Sequence, residues 1–311
     1  MAAWRYPVDH ANPSGVLNRS FVIDAVSGRY VLRGYHYTER GPIEHEHDLI
    51  AFAHQRGVPT LIPIALPSGA MLAVCDGLYY ALFPFAAGMQ RVRGTLDCAD
   101  AAAMGRCLGH MHLVLGNFPH ERARQLRLDM ANAATFAMMD RIQQAIDAQA
   151  TYGNDEANTI AIMQGMRKYI ERTPAPFEAL DALSRQILHG DYHERNVFFE
   201  QGEVSAVIDW EQALFAPRGW EIMRTLLFVW DLALAESVAF LDAYQRVCPL
   251  PCAELDLAAR WFAWSRGHNL WVYQAVYLEG NDRARQLIGS RCFTPLEPRW
   301  ARIQFAIKGM S

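Results

Sequence analysis

Three polar residues lie close together in the chain at a spacing that could support chemistry: Asp191, Asn196 and Asp209. The first two belong to the segment His-Gly-Asp-Tyr-His-Glu-Arg-Asn at 189–196, and Asp209 follows the mainly apolar run Val-Ser-Ala-Val-Ile at 204–208. A hairpin between them would bring all three side chains to one end. Phosphoryl transfer needs such parts, namely a carboxylate that accepts a hydroxyl proton and oxygen ligands for a magnesium ion on the phosphates.

Two other interpretations of these residues stay open. Taken singly, His189, Asp191 and His193 fit a solvated loop or a structural hydrogen-bond cluster. Their alternation also fits a His-x-Asp-x-His metal site of a hydrolase, although no third histidine has a matching spacing. A metal hydrolase leaves Asn196 and Asp209 without a role. The order aspartate, four residues, asparagine, then a second aspartate after a turn is that of protein kinases and favours phosphoryl transfer.

The first part of the chain has the pattern of a β-rich lobe. Residues 21–26 and 29–35 flank a Ser-Gly turn and predict a hairpin. Residues 42–56 have a helical spacing of apolar residues, and Gly57 follows the end. Further strands are predicted at 61–64, 71–74 and 78–83.

The second part has the pattern of a helical lobe. Residues 84–88 interrupt the strands, so we predict domains of residues 1–85 and 86–311. The segment 187–208 is an exception within the second domain, since it predicts another hairpin. We therefore expect an α+β fold with two lobes, a small β-rich N-terminal lobe and a larger, mainly helical C-terminal lobe. Helices are predicted at 98–115, 128–149, 155–172 and 176–186.

The polar segment also carries a family resemblance. Residues 189–199, followed by Val-Ile-Asp-Trp-Glu at 207–211, resemble the signature of the aminoglycoside phosphotransferase and choline kinase family, which has a protein-kinase-like fold. Residues 83–88 resemble the hinge of that family, and residues 102–112 resemble the helix after it. The pattern is nearest to the homoserine-kinase-like and stress-response-kinase-like branches. The resemblance implies a kinase that uses ATP and Mg²⁺ to phosphorylate a hydroxyl of a small molecule.

The resemblance assigns roles to single positions. Asp191 becomes the catalytic base, and Asn196 and Asp209 become the magnesium ligands. ATP is expected under the N-terminal lobe, with its phosphates near a loop at 15–21 and its adenine near the hinge. The residues expected to contact the nucleotide are Asn18, Arg19, Ser20, Phe83 and Phe85.

Arg33 stands at the strand position where the kinase pattern has lysine. Arginine keeps the positive charge and changes its geometry to a planar fork of donors. The helix at 42–56 should supply the acidic partner of this residue. Glu46 matches the acid-then-apolar spacing better than Glu44, and a solvent-facing position is the alternative for either residue.

The sequence departs from the family pattern at several positions. Gly190 stands where protein kinases have arginine, and Trp-Glu at 210–211 replaces Phe-Gly. The next helix opens near Glu221 instead of the aspartate common in the family, which puts a supporting role of Glu221 in doubt. We expect His193 to brace the loop through hydrogen bonds.

An aromatic stripe near the end of the chain has helical spacing. Buried core is the expected role of these residues, and a pocket for an ammonium-bearing acceptor is the alternative. The stripe consists of Trp261, Trp264, His268, Trp271, Tyr273, Tyr277 and Glu279.

Composition narrows the classes of function. The 311 residues carry a net charge of −4, which does not suggest electrostatic capture of nucleic acid, so no nucleic-acid partner is expected. No signal-peptide pattern or membrane-spanning apolar run is visible, so a cytoplasmic location without membrane contact is expected. The six cysteines have no zinc-site spacing. Two other functions stay open, a catalytically weak nucleotide-binding regulator and a kinase for protein Ser/Thr. The pattern predicts neither the acceptor nor the oligomeric state.

Overall fold

The computed structural model describes residues 18–36, 38–126, 130–149, 152–176, 183–289 and 292–308. The chain divides into two units. The first contains Met1–Gln125, Arg185–Pro249 and Met310–Ser311, and the second contains Leu126–Ser184 and Leu250–Gly309. Both units have apolar residues that are almost entirely buried.

A four-stranded antiparallel sheet opens the first unit. Its strands are β1 (Arg19–Ala25), β2 (Gly28–Gly34), β3 (Ala73–Cys75) and β4 (Leu78–Pro84), in the order β1-β2-β4-β3. The turn between β1 and β2 contains Gly28 with a φ of 137°, which glycine adopts without a Cβ clash. Arg33 of β2 pairs with Ser20 on one side and Ala81 on the other. Arg33 therefore lies in the interior of the sheet.

The helix α1 (Arg40–His54) packs against this sheet. Its Ile43 shares a buried cluster with Tyr35 and Ala81. Glu46 places a carboxylate on the buried face of α1, and a buried carboxylate needs a partner that compensates its charge. The buried face consists of Ile43, Glu46, His47, Leu49, Ile50 and Ala53.

Two small antiparallel sheets and three helices complete the described part of the first unit. The sheets join β5 (Met89–Gln90) with β7 (Val197–Glu200) and β8 (Glu203–Val207), and β6 (Arg185–Leu188) with β9 (Leu214–Pro217). The helices are α2 (Cys98–Leu115), α5 (Arg218–Trp230) and α6 (Leu234–Val247). α2 and α6 approach closely at Gly105, where a Cβ would lie 2.3 Å from the carbonyl oxygen of Phe240. Their packing therefore requires glycine at this position.

The second unit is helical in its described part. Its helices are α3 (Asn132–Asp147), α4 (Asn154–Arg172), α7 (Cys252–His268), α8 (Trp271–Tyr277) and α9 (Glu297–Lys308). Ile142 of α3 and Met163 of α4 belong to one apolar cluster. In the aromatic stripe, Trp261 and Trp264 are fully buried and Trp271 is half exposed. The two tryptophans of α7 are therefore core residues.

Most predicted elements are confirmed. The β1–β2 hairpin lies within two residues of the predicted bounds, the β7–β8 hairpin lies inside the predicted segment 187–208, and α2 has the predicted bounds. The strand predicted at 61–64 is wrong, since these residues form no strand and only Ile64 donates a backbone hydrogen bond, to Leu82. Pro63 has no N–H to donate, which prevents a continuous ladder.

The helix predicted at 176–186 is wrong at its end. Residues 177–182 lie outside the described residues, and β6 begins at Arg185. β6 pairs with β9, a strand the sequence analysis did not predict. Both strands have four residues, and apolar runs this short do not distinguish a strand from a helix. The predicted boundary after residue 85 stays a prediction.

Candidate active site

The β7–β8 hairpin brings the polar segment to one end. The N–H of Ile208 donates to the carbonyl of Asn196 at 2.9 Å, so Asn196 and Asp209 flank the same backbone hydrogen bond. Asn196 Nδ2 also donates to the backbone oxygen of Asp191 at 2.9 Å and to its Oδ2 at 3.1 Å. The predicted residues therefore meet because one short hairpin and one side-chain amide connect them.

Both carboxylate oxygens of Asp191 have partners. Oδ2 accepts from His193 Nε2 at 3.2 Å, and Oδ1 accepts from Nη2 of Arg224 on α5. Burial alone would raise the pKa of Asp191, but the hydrogen bond from His193 and the charge of Arg224 outweigh it and hold the pKa well below its ordinary value. Asp191 is therefore a carboxylate with a fixed orientation. Arg224 was not predicted from the sequence.

The two histidines of the segment hold the loop in place. His189 is fully buried, its Nε2 donates to the carbonyl of Ile208 at 2.9 Å, and its Nδ1 accepts from the N–H of Asp191 at 3.2 Å. His193 Nδ1 accepts from the N–H of Arg195 at 3.2 Å. All four ring nitrogens are thus engaged in hydrogen bonds, which argues against a His-x-Asp-x-His metal site. Within the described ranges, no group of three or more His, Cys, Asp and Glu side chains is placed to hold a metal.

Gly190 is required by the backbone of the loop. Its φ is +84°, and a Cβ would lie 2.1 Å from the carbonyl oxygen of Gln212. Its N–H donates to Glu221 Oε1 at 2.5 Å, and Glu221 Oε2 accepts from His112 Nε2 at 2.9 Å. Tyr244 in turn donates to His112 Nδ1 at 2.8 Å. Glu221 therefore supports the loop although the sequence put that role in doubt.

Arg33 is surrounded by carboxylates. Its Nη2 lies 2.8 Å from both Asp209 Oδ1 and Glu211 Oε2, and its Nη1 lies 3.6 Å from Glu46 Oε1. Glu46 is therefore the acidic neighbour of Arg33, whereas Glu44 pairs with an arginine on the exposed side of α1. Burial would lower the pKa of Arg33, and the charges of Glu46 and Asp209 raise it above its ordinary value.

Burial and the neighbouring charges also shift the pKa values of Glu46 and Glu211. Burial raises the pKa of Glu46 to about 7, although Arg33 opposes the shift. The pKa of Glu211 is also raised, first by burial and then by the charge of Asp209. Asp209 has a left-handed backbone with a φ of 67°. That conformation directs the chain from β8 into the turn that carries Glu211.

The other predicted nucleotide contacts lie along the first sheet. Asn18 is buried, donates through Nδ2 to Glu211, and accepts through Oδ1 from the N–H of His36 at 3.0 Å. Arg19 and Ser20 begin β1, and Ser20 pairs with Arg33. Phe83 and Phe85 lie at the end of β4 and just after it, and Phe85 is 38% exposed. The loop residues 15–17 lie outside the described residues.

The sequence analysis did not predict the contacts that three residues make in the site: Glu211, Arg224 and His112. Glu211 follows Asp209 by two positions, and Arg224 follows Glu221 by three, which places it near Glu221 on α5. These spacings were the available signals. His112 had none, since its contact with Glu221 joins residues 109 positions apart.

A known protein family matches most of this chain. The phosphotransferase enzyme family has a sequence profile that matches residues 10–276. The chain belongs to this family. Homoserine kinase from Caulobacter sp. (strain K31) is 27% identical over 252 residues, which cover 78% of this chain and 72% of that kinase. The predicted family and activity class, transfer of a phosphoryl group to a hydroxyl acceptor, are thereby confirmed.

Solved structures of phosphotransferases share the fold. Spectinomycin phosphotransferase in complex with ADP and spectinomycin has a TM-score of 0.69 and 14% identity, and the alignment covers 96% of this chain and 94% of that chain. Amicoumacin kinase in complex with AMP-PNP and Ca²⁺ has a TM-score of 0.66 and 14% identity, with 92% and 90% covered. The predicted protein-kinase-like fold is thereby confirmed. No helix among the described residues is long and apolar enough to cross a bilayer.

Proposed function

We propose that this phosphotransferase moves the γ-phosphate of ATP, bound with Mg²⁺, to a hydroxyl group of a small molecule. The observation that carries the proposal is the meeting of Asp191, Asn196 and Asp209 at one end of the β7–β8 hairpin, with Arg33 in contact with Asp209. This set supplies a proton acceptor, metal ligands and a phosphate-binding cation, which are the parts that phosphoryl transfer requires.

The donors near Asp209 suit a magnesium ion. Asn196 uses its Nδ2 to bind Asp191, so its amide oxygen remains available as a ligand. Asp209 and Glu211 add carboxylate oxygens, one from each in contact with Arg33. Mg²⁺ commonly takes one or two protein carboxylates and completes its shell with phosphate and water oxygens. When bound, the ion would compensate the charge of the phosphates.

The first sheet would bind the rest of the nucleotide. The guanidinium of Arg33 can donate two hydrogen bonds to phosphate oxygens in a fork. Glu46 supports the orientation of that guanidinium from α1. We assign the phosphate loop to Asn18, Arg19 and Ser20, and the adenine to the backbone near Phe83 and Phe85.

Asp191 would orient the acceptor. Its carboxylate is ionised, held by three partners and a fifth exposed, so an acceptor hydroxyl can donate to it. A base with a lowered pKa favours orientation of the hydroxyl over early removal of its proton. The proton would reach Asp191 as the new oxygen–phosphorus bond forms.

The relatives of this chain indicate which acceptor to test first. Homoserine kinases are curated relatives that this chain matches over most of its length. L-Homoserine is therefore the first acceptor to test, followed by amino alcohols, sugars and aminoglycosides. All carry an alcohol hydroxyl that could bind at Asp191.

A panel of these acceptors with Mg-ATP tests the proposal. We expect ADP release that depends on one acceptor class, together with a product whose mass rises by one phosphoryl group. Asp191→Asn is the matched control because it keeps the size of the side chain and removes the proton acceptor. It should bind Mg-ATP as the wild type does in calorimetry, with kcat lower by about 10²–10⁴-fold.

Three outcomes would contradict the proposal. Nucleotide binding without transfer to any acceptor would favour the regulator, and transfer to protein Ser/Thr alone would favour a protein kinase. Full turnover by Asp191→Asn would remove Asp191 from the mechanism.

A further inference from the structure

Helix α5 contacts three consecutive residues of the polar segment 189–196, which we call the catalytic loop because it carries Asp191. Glu221 accepts from the N–H of Gly190, Arg224 donates to Asp191, and the hydroxyl of Thr225 donates to the carbonyl of Tyr192 at 2.9 Å. Residues 221, 224 and 225 lie on one face of the helix because three or four positions complete a turn. α5 therefore binds residues 190, 191 and 192 in order, and Arg224 alone among these three contacts reaches the carboxylate of Asp191.

Aromatic rings hold the guanidinium of Arg224. Its Cζ lies 4.5 Å from the ring centre of Phe228 and 5.8 Å from that of Trp220. These rings stand four positions after and four positions before Arg224 on α5. The Arg224 side chain is 24% exposed. A guanidinium in contact with two rings on its own helix has fewer accessible rotamers, so its direction is fixed.

The two oxygens of Asp191 have different kinds of partner. Oδ2 is bound by the His193 ring and the Asn196 amide. Oδ1 is bound by Arg224. Within the described part of the chain, Arg224 is the only arginine or lysine in contact with this carboxylate. It therefore supplies the full charge on one side of Asp191.

We propose that Arg224 is a positioning residue for the transfer step, which orients the carboxylate of Asp191 toward the acceptor hydroxyl. The inference rests on the proposed function. A charge-assisted hydrogen bond to Oδ1, opposite the bonds to Oδ2, fixes rotation of the carboxylate about its Cβ–Cγ bond. The carboxylate is thereby held in one orientation before the acceptor binds, so that the oxygen that receives the proton already faces the acceptor hydroxyl.

Arg224→Gln tests this role because glutamine keeps a donor and removes the charge and the planar fork. We expect kcat to fall by about 10²-fold, as for other small misplacements of a reacting group. The Kd for Mg-ATP should stay at the wild-type value, since Arg224 contacts Asp191 and not Arg33 or Asp209. Arg224→Lys keeps the charge and should lose less activity than Arg224→Gln.

A double-mutant cycle separates positioning from general support of the fold. If Arg224 acts through Asp191, adding Arg224→Gln to Asp191→Asn should change kcat little further. If the two substitutions acted independently, the fold losses in kcat of the single variants would multiply in the double variant. Arg246→Gln is the matched control, because Arg246 forms an exposed ion pair with Asp242 on α6. Exposed pairs contribute little to stability, so this variant should keep the kcat of the wild type.

The possible results distinguish this inference from the proposed function. Wild-type transfer together with unchanged kcat in Arg224→Gln would overturn the positioning role alone. A loss in Arg224→Gln that multiplies with that of Asp191→Asn, or an equal loss of ATP affinity, would overturn it as well. If Arg224→Gln does not fold, Arg224→Lys provides the test, with reduced kcat at unchanged ATP affinity expected. No transfer by the wild type to any acceptor would overturn the proposed function and this inference with it.

Discussion

Glu46 shows how burial and charge compete at a single residue. It is almost fully buried on α1, and burial raises its pKa to about 7, against the pull of Arg33. Its carboxylate and those of Asp209 and Glu211 surround one guanidinium. The site therefore contains more acidic groups than Arg33 can neutralise, and protonation of Glu46 relieves part of that excess.

This shift predicts a dependence of stability on pH. The folded pKa of Glu46 exceeds its unfolded value of 4.5, so its contribution is fully present below pH 4.5 and is lost as the pH rises through about 7. Glu46→Gln stays neutral and lacks this contribution. We expect the free energy of unfolding of the wild type to fall relative to that of Glu46→Gln between pH 5 and pH 7.5, measured by urea denaturation. A difference that is constant with pH would contradict the shift.

At the scale of elements, helix contacts depend on a few positions. α2 and α6 approach where Gly105 leaves room for the carbonyl of Phe240. α2 also carries His112, which binds Glu221 of α5 and Tyr244 of α6. The packing of these helices thus supports the Glu221 carboxylate, which accepts a hydrogen bond from the N–H of Gly190.

Alanine substitution of two helical glycines tests this packing. Gly105→Ala places a Cβ 2.3 Å from the Phe240 oxygen, which forces α2 and α6 apart, whereas a Cβ at Gly41 of α1 has no atom within 4 Å. We expect Gly105→Ala to destabilise the protein by about 1–3 kcal/mol, as overpacked sites do. Gly41→Ala should destabilise the protein less than Gly105→Ala, because its Cβ meets no such carbonyl and the helix preference of alanine offsets the strain of a Cβ before Pro42. Thermal melting of both variants measures the difference. Equal melting temperatures would show that α2 and α6 adjust freely.

The sequence was most informative where structure is local. The β1–β2 hairpin and α2 follow from alternation, turn residues and helical periodicity. The polar hairpin also predicted that Asp191 and Asn196 would meet. In contrast, the paired residues of β6 and β9 lie 26 or more positions apart in the chain. A local sequence pattern therefore does not show that these strands pair. The same holds for Arg224, whose contact with Asp191 depends on how α5 packs.

At the scale of the whole molecule, each unit has its own titratable groups in its core. In the second unit, both ring nitrogens of His268 are buried without a hydrogen-bond partner among the described residues, and the ring lies 4.0 Å from that of Trp264. Burial lowers the pKa of His268 to about 4. Protonation of this ring in the folded state is therefore unfavourable.

Acid should destabilise the second unit through His268. The folded pKa lies below the unfolded value of 6.5, so the stability from this residue is present above pH 6.5 and is lost as the pH falls toward 4. His268→Phe removes the titration and keeps an aromatic ring. We expect hydrogen exchange of α7 to accelerate between pH 7 and pH 5 in the wild type, relative to this variant, after correction for intrinsic rates. Identical pH profiles would show that His268 keeps its ordinary pKa.

The contacts of Arg33 have a consequence for how ligands enter. Before any ligand binds, guanidinium and carboxylates serve as counter-ions for one another. Under the proposed function, the carboxylates of Asp209 and Glu211 would hold the metal ion, and the guanidinium of Arg33 would bind the phosphates. Either ligand alone would leave one partner uncompensated. Mg²⁺ and ATP should therefore bind with positive cooperativity, with calorimetry showing tighter ATP binding in Mg²⁺ and a smaller gain in Arg33→Ala. Nucleotide would then bind together with its metal ion, and scarce free magnesium would lower the fraction of the protein that holds nucleotide at a given ATP concentration.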